Sequence, residues 1–270
     1  MNNQAQYNYD FDYDGSVAPF NLCPSVPTLQ MMKQLIASPH TNSVGILTGK
    51  PLDYIVGVFR GYLEACEYEH KIILSGNNGF KTQTGIAWPP AHEHFLCGAK
   101  DELDVERLQA PFLALKRKLL VWAKENGHHI WFQSNNIGIT PFSEDETIRL
   151  KIKEIAEKEL SDADIFLHPD AVDILPKDIN KGALLDDLFS GKWGLEKLAP
   201  ENTLVIGDGS NDIPMMKKAQ EWGGYAVAIG RNEQVIEVAD VHFLTIESAL
   251  ATFLAFTDVG LHPLHGQIQN

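Results

Sequence analysis

The stretch Asp12-Tyr13-Asp14-Gly15-Ser16 decides the fold of this chain, because it stands where a strand breaks into a glycine turn. The preceding residues, Tyr7-Asn8-Tyr9-Asp10-Phe11, are typical of a short strand. Far downstream, the apolar run Thr203-Leu204-Val205-Ile206 ends in a second acidic loop, Gly207-Asp208-Gly209-Ser210-Asn211-Asp212. Two predicted strands therefore each end in a loop that carries glycine and two carboxylates.

The carboxylates of these two loops predict a metal site. If Asp12, Asp14, Asp208 and Asp212 converge at adjacent strand ends, their negative charges repel one another. A hard divalent cation with oxygen ligands relieves that repulsion. Magnesium needs few protein carboxylates, because it retains waters and takes oxygens from a substrate phosphate. We therefore expect Mg²⁺ to bind between these loops.

Strands and helices alternate at both ends of the chain, which predicts an α/β fold with a Rossmann-like, doubly wound parallel sheet and helices on both faces. Ligands of such a sheet lie at the carboxyl ends of the strands, where the strand order reverses. The predicted strands lie at 6–12, 43–48, 71–74, 203–207, 225–229 and 241–244, and the predicted helices lie near 26–37, 51–65, 180–190 and 212–219.

The middle of the chain has a different pattern and predicts an inserted α+β domain. It contains helical patterns near 102–126 and 144–160, and candidate strands at 129–134, 136–140 and 164–168. We therefore divide the chain into a core of residues 1–81 and 173–270 and an inserted domain of residues 82–172.

The composition is that of a soluble enzyme. With 36 acidic and 22 basic side chains, the formal net charge of −14 argues against nucleic acid or an anionic membrane as the partner. No apolar run approaches the ~18 residues that span a bilayer, and the polar N-terminus lacks the pattern of a signal peptide. Cys23, Cys66 and Cys97 are widely spaced, so we expect buried free thiols and a cytoplasmic location. The sequence leaves the oligomeric state open.

Four ordered motifs resemble those of the haloacid dehalogenase superfamily of phosphohydrolases. The Asp12–Ser16 stretch is similar to the first motif, and the Gly207–Asp212 loop is similar to the fourth. Thr48, at the end of a predicted strand, is similar to the second motif, and Lys181 is similar to the third. The insertion between the second and third motifs resembles the large α/β (type II) cap of Cof-type hydrolases and of sucrose- and trehalose-phosphate phosphatases.

This resemblance implies a magnesium-dependent phosphatase that acts on a small phosphorylated metabolite, with a sugar phosphate as the expected substrate. Asp12 is implied as the nucleophile that forms an aspartyl-phosphate, and Asp14 as the general acid and base. The implied phosphate-binding residues are Thr48, Gly49, Lys181 and Asn211. The implied magnesium ligands are Asp12, Asp14 (through its main-chain carbonyl), Asp208 and Asp212. In the cap, Gln133 and Asn135 are candidate contacts to the substrate.

Other interpretations remain open. Aspartate before glycine is ordinary turn chemistry, the Thr48 hydroxyl can cap the next helix, and Lys177 competes with Lys181 for the third motif. A phosphosugar mutase such as phosphomannomutase uses the same motifs, and analysis of the products distinguishes it from a phosphatase. A metabolite-binding protein without activity is the non-enzymatic alternative, and it predicts no turnover on a broad panel of phosphate esters.

Overall fold

The computed structural model describes residues 5–20, 22–63, 68–86, 93–95, 102–133, 137–191 and 198–267. The strands in the described residues are, in chain order, β1 (Tyr7–Asp12), β2 (Thr41–Leu47), β3 (Ile72–Gly76), β4 (Lys81–Thr84), β5 (Glu93–Phe95), β6 (Trp131–Gln133), β7 (Thr140–Phe142), β8 (Ala163–Leu167), β9 (Val172–Pro176), β10 (Thr203–Gly207), β11 (Tyr225–Ile229) and β12 (Val241–Phe243). The helices are α1 (Val26–Ala37), α2 (Leu52–Leu63), α3 (Glu102–Glu125), α4 (Glu146–Glu159), α5 (Lys181–Ser190), α6 (Ile213–Glu221), α7 (Glu233–Ile236) and α8 (Ile246–Thr257).

The central sheet has eight strands in the order β12-β11-β10-β1-β2-β3-β4-β5. The strands from β12 to β3 are parallel, and β4 and β5 extend the sheet as an antiparallel edge. Because β1 lies between β2 and β10, the chain order reverses at β1, and the carboxyl end of β1 is the expected place for a ligand. The prediction of a doubly wound, mainly parallel sheet is confirmed.

Successive side chains of β1 point to opposite faces of the sheet and so lie in two different layers. Tyr9 and Phe11 pack in the apolar cluster that includes residues of α1, α2 and α8. Asp10 and Asp12 therefore face the opposite layer, where α5 and α6 pack against the sheet. Gly45 stands opposite Asp10 and leaves room for its carboxylate, since a Cβ atom at Gly45 would lie 2.0 Å from Asp10 Oδ1.

The middle of the chain forms two antiparallel strand pairs, β6 with β7 and β8 with β9. Bridges between Ile139 and Ile174 and between Phe142 and Ala171 join the two pairs. Helices α3 and α4 contribute to one apolar cluster with Val172 and Ile174 of β9, which leaves Asp173 on the other face of the strand. This four-stranded layer with two helices confirms the α+β character predicted for the insertion.

The partner strand predicted at 136–140 is displaced along the chain. Pairing with β6 begins at Thr140, which lies opposite Gln133. Gly138 instead lies against the backbone of β9, where a Cβ atom would stand 2.4 Å from the carbonyl oxygen of Ile174. Close approach to β9 thus uses residues that the sequence pattern assigns to a strand paired with the one before it.

The division of the chain at 81/82 and at 172/173 stays a prediction. On either side of these positions, β4 pairs with β3 in the central sheet, and β9 pairs with β8 in the inserted layer.

Cys23 is an exposed free thiol, so the expectation of a buried thiol is wrong at this position. It lies in the irregular segment between β1 and α1. Cys66 and Cys97 lie outside the described residues. Across the described helices, none combines the length and apolar character needed to cross a membrane.

Candidate functional site

Asp12 is the last residue of β1 and is buried, and the chain turns sharply after it. The turn is closed by two backbone hydrogen bonds, from Gly15 N to Ala18 O at 2.7 Å and from Ala18 N to Tyr13 O at 2.8 Å. Gly15 has φ +82°, a left-handed conformation that favours glycine. The turn therefore carries Asp14 back over the carboxyl end of the sheet, close to Asp12.

The second acidic loop follows β10 and is shaped by its own last residue, Asp212. Its Oδ2 accepts hydrogen bonds from the amides of Asp208 and Gly209, both at 3.0 Å. The hydroxyl of Ser16 donates to Asp208 Oδ1 at 3.1 Å, which joins this loop to the turn after β1. The two acidic loops predicted to converge do so.

Lys181 contacts one carboxylate in each of these two loops. It is the first residue of α5, whose N-terminus is capped by the Asn180 side chain accepting from Ala183 N at 3.0 Å. Its buried Nζ donates to Asp12 Oδ1, and it donates to Asp212 Oδ1 at 2.6 Å. Burial opposes the charge on Lys181, but the two carboxylates outweigh burial and raise its pKa.

The three carboxylates of Asp12, Asp208 and Asp212 lie with one oxygen each within 4.8 Å of one another. Burial, followed by the charge of Asp212, raises the pKa of Asp12 well above its usual value. The same two causes, in the same order, raise the pKa of Asp208 to about 7. Lys181 neutralises one of the three carboxylates, so this set of possible metal ligands keeps an excess of negative charge.

A hard divalent cation fits this donor set, because buried carboxylate oxygens with excess negative charge are the ligands that magnesium prefers. Asp12 and Asp208 have oxygens suited to direct coordination. Asp212 differs, since Lys181 occupies its Oδ1 and two backbone amides occupy its Oδ2. A contact through water is therefore the role that fits Asp212.

The loop after β2 brings Thr48 and Gly49 next to the site. Thr48 N donates to Ser75 O at 2.9 Å, and Asn78 N donates to Thr48 O at 2.8 Å, which fixes the loop against the end of β3. The Thr48 hydroxyl is buried and accepts from Lys50 N at 3.1 Å. Lys50 Nζ lies 3.1 Å from Asp14 Oδ2, so this loop supplies a cation to Asp14.

A cavity of about 980 Å³ opens above these loops. The central sheet and its loops contribute residues that include Asp12, Asp14, Gly49, Asp208 and Asn211. The inserted layer contributes residues that include Gln133, Thr140, Arg149, His168 and Asp173. Gln133 thus lies where the sequence analysis expects a substrate contact, and Asn135 lies outside the described residues.

On the inserted layer, His168, Asp173 and Thr140 form a hydrogen-bonded row along the cavity. Asp173 accepts from Thr140 Oγ1 at 2.7 Å, and His168 Nε2 lies 3.2 Å from its other oxygen. Burial alone would lower the pKa of His168, but the hydrogen bond and charge of Asp173 raise it. Burial alone would raise the pKa of Asp173, but His168 and Thr140 hold it below its usual value.

Sequence reasoning missed several of these residues. Lys50 follows Thr48 and Gly49 directly, so its position beside the second motif was a usable signal. Arg149, His168 and Asp173 belong to no motif, and their approach to the cavity depends on how β7, β9 and α4 pack.

The model of the haloacid dehalogenase-like hydrolase family matches residues 116–253. The match includes Lys181, Asp208 and Asp212, and it begins after Asp12 and Thr48. No curated protein sequence is significantly similar to the chain.

Solved structures of similar fold have low sequence identity to this chain. Trehalose-6-phosphate phosphatase from Aspergillus fumigatus is 16% identical with a TM-score of 0.57, over 91% of this chain and 90% of that one. A haloacid dehalogenase-like hydrolase from B. subtilis is 14% identical with a TM-score of 0.62, over 93% of this chain and 99% of that one. The sugar phosphatase BT4131 is 18% identical with a TM-score of 0.59, over 90% and 95%. The family match spans slightly more than half of the chain, and the protein therefore belongs to the haloacid dehalogenase-like hydrolases, the family that its four motifs resemble.

Proposed function

We propose that the protein is a magnesium-dependent phosphatase that hydrolyses a small phosphorylated metabolite, a sugar phosphate, through an aspartyl-phosphate on Asp12. The observation that carries this proposal is the contact of one buried lysine, Lys181, with both Asp12 and Asp212, directly behind a cavity that Asp12, Asp14 and Asp208 line. This arrangement places a nucleophile, a second carboxylate and a fixed cation around one point, as in-line phosphoryl transfer requires.

Asp12 attacks phosphorus, and the alcohol oxygen of the substrate leaves. Asp14 gives that oxygen its proton, then takes a proton from the water that hydrolyses the aspartyl-phosphate. Lys50, 3.1 Å from Asp14 Oδ2, holds this carboxylate at the cavity. Lys181 orients Asp12 and stabilises negative charge that develops on the phosphoryl oxygens. Thr48, Gly49 and Asn211 are the proposed partners of the remaining oxygens.

Asp12, Asp208 and the carbonyl of Asp14 would hold magnesium, with Asp212 acting through water. The bound ion supplies positive charge that lets a carboxylate approach a phosphate dianion. The net charge of −14 otherwise opposes binding of an anionic substrate, so positive charge has to be concentrated locally, from Lys50, Lys181 and the ion.

Two observations support a sugar phosphate. A cavity of about 980 Å³ is at the upper end of the range for small-molecule sites, which suits a substrate larger than a simple ester. Two proteins of similar fold are named as trehalose-6-phosphate phosphatase and as a sugar phosphatase. Gln133 lines the cavity from the inserted layer, and we propose it as a contact to substrate hydroxyls.

The test is phosphate release from a panel of sugar phosphates, phosphoglycolate, nucleotides and p-nitrophenyl phosphate with Mg²⁺. Asp12→Asn is expected to keep the fold by circular dichroism and to lose turnover by several orders of magnitude. The exposed Asp258→Asn is the matched control and should retain full activity. Free phosphate as the product excludes a mutase, whereas an isomerised ester supports one. Near-normal turnover by folded Asp12→Asn would remove Asp12 from its role.

A further inference from the structure

Arg149, in the first turn of α4, is a buried cation of the inserted layer. Its side chain is only 7% exposed, although arginine is rarely buried without partners. Its Nη1 donates to the carbonyl oxygen of Ser143 at 2.7 Å. Its Nε is buried and has no hydrogen-bond partner, and no carboxylate of the described residues pairs with it. Burying a charge in this way is costly unless a further partner binds it.

The unpaired edge of Arg149 has the geometry that recognises oxyanions. Because Ser143 takes Nη1, the edge formed by Nε and Nη2 is left without a partner among the described residues. Two parallel N–H groups on one edge of a guanidinium bind both oxygens of a carboxylate or two oxygens of a phosphoryl group. Arg149 also lines the cavity that contains Asp12 and Asp14.

A second group that can be positive, His168, lies in the same part of the inserted layer as Arg149. Ser143, which holds Arg149, donates its backbone N–H to Asp170 O at 2.9 Å, and His168 N donates to Ala171 O at 2.9 Å in the same turn. His168 lines the cavity, and the charge of Asp173 favours its protonated form. Glu146 and Asp170 also line the cavity, but neither forms an ion pair with Arg149.

We propose that Arg149, assisted by His168, binds a second anionic group of the substrate, so that the substrate is a sugar phosphate that also carries a carboxylate or a second phosphoryl group. This inference rests on the proposed phosphatase function and specifies its substrate class. The ester phosphate lies at Asp12, and the second anion lies at the inserted layer. Arg149 acts as a specificity residue and takes no part in phosphoryl transfer.

The test compares substrates that differ only in the second anion. Sorbitol 6-phosphate is paired with 6-phosphogluconate for the carboxylate, since both are open chains, and fructose 6-phosphate is paired with fructose 1,6-bisphosphate for the phosphoryl group. In at least one pair, the wild-type enzyme should favour the more anionic member in kcat/KM by about 10- to 100-fold, the effect of a charge-assisted hydrogen bond. The pair that shows the preference identifies the source of the anion.

Variants separate this role from a structural one. Arg149→Gln should bring the ratio within the favoured pair close to one and leave turnover of p-nitrophenyl phosphate within about threefold of wild type, because removing one charge-assisted contact affects only the substrate that uses it. Arg149→Lys keeps the charge without the two-pronged edge and should retain part of the ratio. If Arg149→Gln does not fold, the wild-type ratio together with Arg149→Lys decides the question. A wild-type ratio near one in both pairs, or an equal loss on all substrates, overturns the proposal.

A binding experiment separates failure of this inference from failure of the proposed function. Asp12→Asn with Mg²⁺ should be stabilised against thermal unfolding more by the anionic member of the favoured pair, and this difference should disappear in Asp12→Asn/Arg149→Gln. If no ester releases phosphate but the difference in binding persists, the phosphatase function fails and the anion subsite stands. If phosphate is released and the two members of each pair bind equally well, the anion subsite is rejected and the phosphatase function stands.

Discussion

Gly15 lies directly against the carboxylate of Asp208: a Cβ atom at Gly15 would stand 2.1 Å from Asp208 Oδ2. The turn after β1 and the loop after β10 are therefore packed so closely that residue 15 has no room for a side chain. Since φ at Gly15 is +82°, glycine is required here for conformation as well as for space.

Gly15→Ala is expected to displace Asp208 and to abolish magnesium-dependent phosphate release. The matched control is Gly223→Ala, because Gly223 has φ +88° and nothing lies within 4 Å of the added Cβ. Gly223→Ala should lose about 1 kcal/mol of unfolding free energy from the left-handed backbone. Gly15→Ala should lose more, because it also displaces Asp208, and only Gly15→Ala should lose activity. Denaturant unfolding and phosphate assays measure the two effects, and an active Gly15→Ala enzyme would contradict the close packing.

Lys181→Met is expected to destabilise the protein by about 3–5 kcal/mol at neutral pH, because it leaves Asp12 and Asp212 buried without their cation. Phosphate release should fall in parallel. The exposed Lys177→Met is the control and should change neither quantity appreciably. Denaturant unfolding without added metal is the measurement. If Lys181→Met is as stable as wild type and Lys177→Met is the inactive variant, the third motif belongs to Lys177.

Magnesium is expected to bind more weakly as the pH falls. Burial and Asp212 raise the pKa of Asp208 to about 7, so protons compete with the metal for this carboxylate below that pH. Titration calorimetry should give an affinity for Mg²⁺ about tenfold lower at pH 6 than at pH 8.

Activity should vanish with a chelator and return with Mg²⁺, and Ca²⁺ should inhibit because its larger, looser coordination misaligns the attack. Turnover in excess chelator would rule out the metal.

Asp10→Asn is expected to stabilise the protein increasingly as the pH rises from about 4 to 7. Asp10 is fully buried, neither carboxylate oxygen has a partner among the described residues, and burial raises its pKa to about 7. The folded protein thus retains this proton to higher pH than the unfolded chain. The retained proton on Asp10 therefore stabilises the folded protein fully below pH 3.8, the pKa in the unfolded chain, and this stabilisation is lost as the pH rises through 7.

Asparagine has the shape of the protonated acid and cannot ionise, so the difference in unfolding free energy should reach about 4 kcal/mol at pH 7 and stay constant above it. Unfolding in denaturant at intervals from pH 4 to pH 9 measures this difference, and Asp258→Asn should run parallel to wild type. A difference that does not depend on pH would show that Asp10 is ionised when folded.

Local patterns in the sequence predicted the strands and helices that build the central sheet. β1, β10 and β11 lie within a residue of their predicted ends, because β1 alternates aromatic and polar residues before a glycine turn, and β10 and β11 are apolar runs followed by glycine. Helix α8 was missed, although its buried residues Ile246, Ala249, Leu250 and Phe253 recur at helical spacing. The start of β7 was misplaced, because close packing of Gly138 on β9 sets that register.

By itself, the sequence determined the fold class, the family and the motif residues: Asp12, Thr48 and Asp208 where strands end, and Lys181 where a helix begins. Those features depend on short-range alternation, turn chemistry and motif order, which the chain carries locally. Only the tertiary structure decided that Lys50 approaches Asp14, that both oxygens of Asp212 are already bonded, and that Arg149 lines the cavity with a buried Nε that has no partner. Lys50 and Asp14 are distant in the chain, as are Lys181 and Asp212, and the surroundings of Arg149 depend on how α4 packs. These features exist only once packing and strand register have fixed which side chains share a space.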